Sequence, residues 1–262
     1  MKILHNGDLV TDLAFPASGE LTNNGWLLGD GIFETLKSFD GKILALSRHL
    51  DRAFQSASIL EIVMPERRAI EVGVATILQA TSEIAIGRMR MTFLSSGDWV
   101  ITHKALNLPS KPLSLIDYPY PKNELSILVG VKTISYGESA HALRFACRAG
   151  FSDVIFKNTS GNVAESAVAN ILWESDSQFC TPPLSTGCLP GITRGLLLEQ
   201  FNVIEMDITP EQLEKVTALY LLSSTREIQQ VARYNNREFA ISDPGQELIR
   251  SFSNWIRSNL EP

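Results

Sequence analysis

Three groups in the middle of this chain have the right chemistry to work together. Lys132 ends the apolar run 125–131, Glu165 lies in the small-residue segment 161–170, and Gly191-Ile192-Thr193 stands where a helical pattern begins. A primary amine condenses with an aldehyde, and a carboxylate pairs with a protonated ring nitrogen. Free amides at a helix start hold a phosphate. One cofactor asks for all three, and the set points to pyridoxal 5′-phosphate. Each residue also has a plainer reading: a surface lysine finishing a strand, a turn carboxylate after Asn162, an ordinary helix entry. Arg88 and Arg90 share one face of a strand by period two, which suits either a carboxylate clamp or a solvated edge.

These groups need elements to position them. Residues 3–10 read as a strand turning at Asn6-Gly7, 16–24 as loop, and 29–37 as a strand entering a hairpin at Asp40-Gly41 with the run 43–46. Ser47 is the expected cap of a helix whose inward stripe is Leu50, Ala53, Phe54, Ala57 and Leu60, with His49, Arg52 and Ser56 off it. A second helix opens at Pro65-Glu66, and 88–94 is a strand. Pro109, Pro112, Pro119 and Pro121 break the chain around a short strand at 113–116. They suggest a smaller N-terminal α+β domain over 1–117 and a larger cofactor-binding domain over 118–262.

In the second half, strands are expected at 125–131, 154–157, 169–173, 179–181, 203–206 and 219–223, and helices at 138–148 and 191–200. Thr209-Pro210-Glu211-Gln212 is a capping box with proline at the first helical position, and Asp243-Pro244 opens a last helix. No regular βαβ rhythm runs through the alternation, so the fold class is α+β.

Composition excludes several classes. With 262 residues, 44% of them apolar, and a net charge of −6, the chain can fill a core and lacks the basic patches of a nucleic-acid binder. Three cysteines without a C-x-x-C pair fit neither a disulfide framework nor a zinc knuckle and read as buried thiols; four scattered histidines give no metal site. No apolar run approaches the ~20 residues of a membrane span, so a cytoplasmic protein with no membrane partner is expected.

Taken in order, Gly29-Asp30-Gly31, Lys132-Thr133-Ile134-Ser135-Tyr136, Glu165, Gly187-Cys188-Leu189-Pro190-Gly191-Ile192-Thr193-Arg194 and Leu222-Ser223-Ser224-Thr225-Arg226 resemble the class IV, fold-type IV pyridoxal phosphate enzymes. These are the branched-chain and D-amino-acid aminotransferases and aminodeoxychorismate lyase, and the likeness is greatest to lyase-like members. The resemblance implies a two-domain D-amino-acid aminotransferase-like architecture and a homodimer. It makes Lys132 the cofactor-bearing lysine and Glu165 the partner of the ring nitrogen. Arg52 becomes the phosphate arginine, Ile192 and Thr193 the phosphate amides, Ser224 with Ser223 and Thr225 the rest of the cradle, and Leu189 the residue against the ring face. Arg90, with Arg88 beside it, matches a position that often carries a cation for the substrate carboxylate. The Arg-Gly loop that follows this strand in many members is replaced by Ser95-Ser96-Gly97.

The resemblance also implies an activity on a small anionic amine: conversion of 4-amino-4-deoxychorismate to 4-aminobenzoate and pyruvate, a step of folate precursor synthesis. Lys132 would act as the base at the amine-bearing carbon, and Lys132 or the Thr35 hydroxyl would protonate the departing enolpyruvate. The alternatives are a class IV aminotransferase using branched-chain or D-amino acids with 2-oxoglutarate, and a non-catalytic cofactor-binding protein.

Overall fold

The computed structural model describes residues 2–10, 24–107 and 112–262. The expected loop at 16–24 lies outside them except for Asn24, which opens a short helix. The chain forms two compact units. One holds the residues up to Asn107 with Val131–Tyr136 and Glu261; the other holds Leu108–Gly130, Gly137–Leu260 and Pro262.

The first unit comprises β1 (Lys2–His5), β2 (Asp8–Val10), α1 (Asn24–Leu28), β3 (Gly31–Phe39), β4 (Lys42–Ile43), α2 (Leu46–Ile59), α3 (Arg67–Gln79), β5 (Ile86–Leu94) and β6 (Trp99–Ala105). Its sheet runs β2-β1-β6-β5-β3-β4, all antiparallel. Alternation along β3 sends Ile32, Glu34, Leu36 and Ser38 to the face covered by α2 and α3, and Phe33, Thr35, Lys37 and Phe39 to the other. The helix-side face makes the core, with Leu36, Leu50, Ile70, Ile77, Met89 and Ile101 fully buried. The Asn6-Gly7 and Asp40-Gly41 turns form as expected, with both residues of each pair at positive φ. β6 was not expected from the sequence; its alternation is blurred by His103, which is buried between Ser38 and Thr81 hydroxyls at 2.9 and 2.6 Å.

Ser47 does not cap α2. Ala45 is the cap residue, in the left-handed region, and the Leu46 and Ser47 amides are satisfied by the Glu261 carboxylate at 3.0 and 3.1 Å. A residue 215 positions away in the chain thus takes the place of a local hydroxyl.

The second unit comprises β7 (Leu113–Asp117), α4 (Gly137–Arg148), β8 (Asp153–Lys157), β9 (Val163–Ser166), β10 (Asn170–Ser175), β11 (Gln178–Thr181), α5 (Ile192–Gln200), β12 (Val203–Glu205), α6 (Pro210–Leu213), β13 (Ala218–Ser223), β14 (Glu227–Tyr234), β15 (Arg237–Glu238) and α7 (Asp243–Ser258). Its sheet runs β12-β11-β10-β13-β14-β7-β8-β9. β9 and β10 stand five strand spacings apart in that order, ~24 Å if flat. Yet three residues join Ser166 to Asn170, a reach of at most ~14 Å. The sheet therefore curls back on itself, around a core that includes Trp173, Leu221, Val231 and Tyr234.

Two further expectations are corrected. Residues 125–131 are turns, not a strand, with Leu125 and Ile127 87% and 69% exposed, so Lys132 does not close a strand. The run is apolar, but its amides go to local acceptors: Leu125 to Asn123 Oδ1, Leu128 to Ser126 Oγ and Val129 to the Ser126 carbonyl. Cys147 is exposed on α4, whereas Cys180 and Cys188 are buried. No helix among the described residues is long and apolar enough to cross a membrane, and among them no group of three His, Cys, Asp or Glu could hold a metal.

Candidate functional site

In the first unit, the segment carrying Lys132 is laid along the start of β3. Phe33 N–H donates to the Lys132 carbonyl at 2.8 Å and Ile134 N–H to the Gly31 carbonyl at 2.9 Å. Gly31 is required there, because a Cβ would lie 2.5 Å from the Phe93 carbonyl oxygen. This pairing sets Lys132 Nζ over the Phe33 ring, 4.7 Å from its centre, with the Arg90 guanidinium 3.7 Å from the same ring. Tyr136 meets Phe33 edge to face at 5.7 Å. Lys132, Arg90 and Thr35 are thus brought to one sheet face, since Thr35 pairs directly with Arg90.

That face is cationic. Lys37 lies opposite Arg88, and Arg88 opposite Lys104, giving three positive side chains in a row across β3, β5 and β6, one rung from Arg90. The only acid on these strands is Glu34, which points to the other face. Three cations in one row give the face a positive field that attracts an anion.

Arg52 does not emerge at a helix edge as expected. It is 7% exposed, one turn from the fully buried His49 on α2, and both meet the buried carboxylate of Glu34. Arg52 Nε and Nη2 donate to the two Glu34 oxygens at 2.8 and 2.6 Å, and His49 Nδ1 lies 2.7 Å from Oε2. Burial alone would raise the Glu34 pKa, but the guanidinium and imidazole outweigh it and hold the carboxyl at about 2. Burial pushes His49 down, so it is neutral. Arg52 is thereby locked in one geometry by a forked ion pair. Sequence reasoning missed Glu34, although its place between Ile32 and Leu36 on a buried face was the signal.

In the second unit the expected residues gather where β9, β10, β13 and α5 meet. Glu165, near the end of β9, accepts the Leu189 amide at 2.9 Å on Oε2 and an ion pair from Lys122 on Oε1. Asn170, at the start of β10, donates to the Leu189 carbonyl at 2.8 Å. Its Oδ1 would lie 1.9 Å from a Cβ at position 191, so only glycine fits before α5. Leu189 thus contributes its backbone to the placing of Glu165. α5 starts at Ile192 with no side-chain cap, leaving the first-turn amides of Ile192 and Thr193 without intrahelical acceptors. Leu222 pairs with Asn170, which sets Ser223 and Ser224 at the same end of the sheet. The Ser223 hydroxyl accepts the Arg226 amide at 3.3 Å. Lys122 and Asn170 were missed by sequence reasoning, and neither has a local signal.

Each unit by itself holds groups that fit pyridoxal phosphate: the second a carboxylate, uncapped helix amides, serine hydroxyls and a glycine whose Cβ would collide, the first an amine and a fixed arginine. A family model for amino-transferase class IV matches residues 31–234. A Methanocaldococcus jannaschii protein provisionally named as a branched-chain-amino-acid aminotransferase is 26% identical over 90% of this chain and 89% of its own. The bifunctional aminodeoxychorismate lyase / D-amino acid transaminase of Mycobacterium tuberculosis is 27% identical over 65% of this chain and 68% of its own. The branched-chain aminotransferase structure from Thermoproteus uzoniensis superposes with a TM-score of 0.88 at 20% identity, covering 100% of this chain and 96% of that one, which establishes the fold-type IV architecture. The chain belongs to the amino-transferase class IV family and is a pyridoxal-phosphate-dependent enzyme.

Proposed function

We propose that this enzyme is an aminodeoxychorismate lyase, cleaving 4-amino-4-deoxychorismate to 4-aminobenzoate and pyruvate. The observation that carries the reading is the cationic face of the first unit. Its Lys37–Arg88–Lys104 row beside Arg90 and Thr35 suits a substrate with two carboxylates and one amine. Among the relatives, the lyase / transaminase of M. tuberculosis supports the same assignment.

When bound, pyridoxal phosphate supplies an electron sink for the carbanion formed at the amine-bearing carbon. In this reading Lys132 carries the cofactor and then takes the proton from that carbon. Glu165 pairs with the ring nitrogen, and Arg52, the Ile192 and Thr193 amides, Ser223 and Ser224 hold the phosphate. Arg90 and Arg88 hold substrate carboxylates. Loss of the proton lets the six-membered ring become aromatic as the C–O bond to the enolpyruvyl group breaks, and Lys132 or the Thr35 hydroxyl protonates the departing group. A cytoplasmic homodimer is part of this proposal: the exposed Leu125, Ile127 and Leu128 offer an apolar surface for a second copy.

A second reading, a class IV aminotransferase, is favoured by the aminotransferase relative from M. jannaschii. The test is direct. The lyase releases 4-aminobenzoate and pyruvate in equal amounts from 4-amino-4-deoxychorismate alone, and Lys132→Ala abolishes that turnover. Turnover only with an amino acid plus 2-oxoglutarate would give the aminotransferase reading. Retained, cofactor-dependent turnover in Lys132→Ala would sink the lysine assignment.

A further inference from the structure

Glu165 and Lys122 sit on opposite sides of one strand. Glu165 pairs with Phe156 of β8 on the β9 side, whereas Lys122 bridges to Asn158 on the other side, its amide donating to the Lys157 carbonyl at 2.8 Å. Their side chains meet across the intervening strand, a span that suits the long lysine stem. The lysine side chain is 22% exposed and the glutamate 11%. Both carboxylate oxygens of Glu165 are therefore engaged from fixed points, Oε2 by the Leu189 amide at 2.9 Å and Oε1 by Lys122. A carboxylate has about four lone-pair sites, so this fork fixes its plane and leaves acceptor capacity for a further donor.

From this arrangement, and resting on the assignment of Glu165 to the ring nitrogen, we infer that Lys122 is a positioning residue. It sets the orientation of the Glu165 carboxylate toward the protonated nitrogen of the cofactor ring and does not itself touch cofactor or substrate. Lys122 also carries a standing charge. Burial lowers its pKa, but the neighbouring Glu165 carboxylate outweighs burial and raises it, so the ammonium persists through the neutral range. With Lys122 gone, Glu165 keeps one fixed contact, and its free oxygen turns toward solvent.

The test uses the full-length protein stripped of cofactor and two probes: pyridoxal phosphate, and its 1-deaza analogue, in which C–H replaces the ring nitrogen. The wild type is expected to prefer pyridoxal phosphate, and Glu165→Gln to lose that preference. Lys122→Met is expected to weaken pyridoxal phosphate binding about tenfold, leave the deaza analogue unchanged, and retain the melting midpoint of the cofactor-free protein. Lys122→Arg is expected to recover most of the loss, and Lys122→Gln serves if the methionine variant does not fold. If Lys122→Met binds both probes as the wild type does, or weakens both equally, the inference is overturned while the Glu165 assignment stands. If the wild type has no preference between the probes, the Glu165 assignment falls and Lys122 with it. Neither result depends on whether the enzyme is a lyase or an aminotransferase.

Discussion

Replacing Glu34 with glutamine should cost the cofactor-free protein ~3 kcal/mol of stability at neutral pH, with a pH dependence that identifies the cause. The carboxylate is 1% exposed and is a partner of both Arg52 and His49. Glutamine keeps one acceptor but turns an NH2 donor toward groups that are themselves donors, and it removes the negative charge that faces the buried Arg52 guanidinium. Breaking a buried pair in this way costs about 3–5 kcal/mol. Titration gives a second estimate. The carboxyl sits at about 2 in the folded protein against an ordinary 4.5. At ~1.4 kcal/mol per tenfold change in proton affinity, that difference amounts to ~3 kcal/mol.

Because the folded value is depressed, this contribution is complete above the unfolded pKa of 4.5 and is lost as pH falls through about 2. By about pH 4 the wild type should already have given up ~1 kcal/mol of its advantage over the variant. Glu34 raises the His49 pKa, so this imidazole titrates differently in the two proteins, and the carboxylate's own loss is read with both proteins carrying His49→Gln. Urea unfolding of the two proteins at several pH values, followed by tryptophan fluorescence, measures the effect. A difference under ~1 kcal/mol at neutral pH, or one that does not shrink on acidification, would refute the buried-pair reasoning.

Ile192→Pro isolates a single phosphate donor. Gly191 is extended at φ −69° and ψ 140°, so proline at the first helical position is sterically acceptable; it removes the amide hydrogen, and Ile192→Ala controls for the lost side chain. Affinity for pyridoxal phosphate should fall about tenfold or more, the worth of one charge-assisted hydrogen bond, with stability little changed; unaltered affinity by fluorescence titration would remove Ile192 from the cradle. Leu125→Asp with Ile127→Asp should halve the mass seen by light scattering, from a dimer to the 28.9 kDa of one chain. A wild type that is already monomeric would end the homodimer proposal.

Several local features could be read from the sequence alone because neighbouring residues determine them. The Asn6-Gly7 and Asp40-Gly41 turns need positive φ, the Thr209–Gln212 box satisfies its own orphan amides, and the α5 and α7 patterns carry their own period. The cofactor class was legible because the amine, the carboxylate and the helix start stand within motifs that resemble, in order, those of the class IV enzymes; each group alone had a plainer reading. Tertiary structure decided what depended on distant partners. Glu34 became the clamp on Arg52 only because β3 packs beneath α2, Glu261 capped a helix at the other end of the chain, and Lys122 found Glu165 across an intervening strand. The run at 125–131 has strand composition but turns instead, since a strand needs an edge to pair with and composition does not supply one.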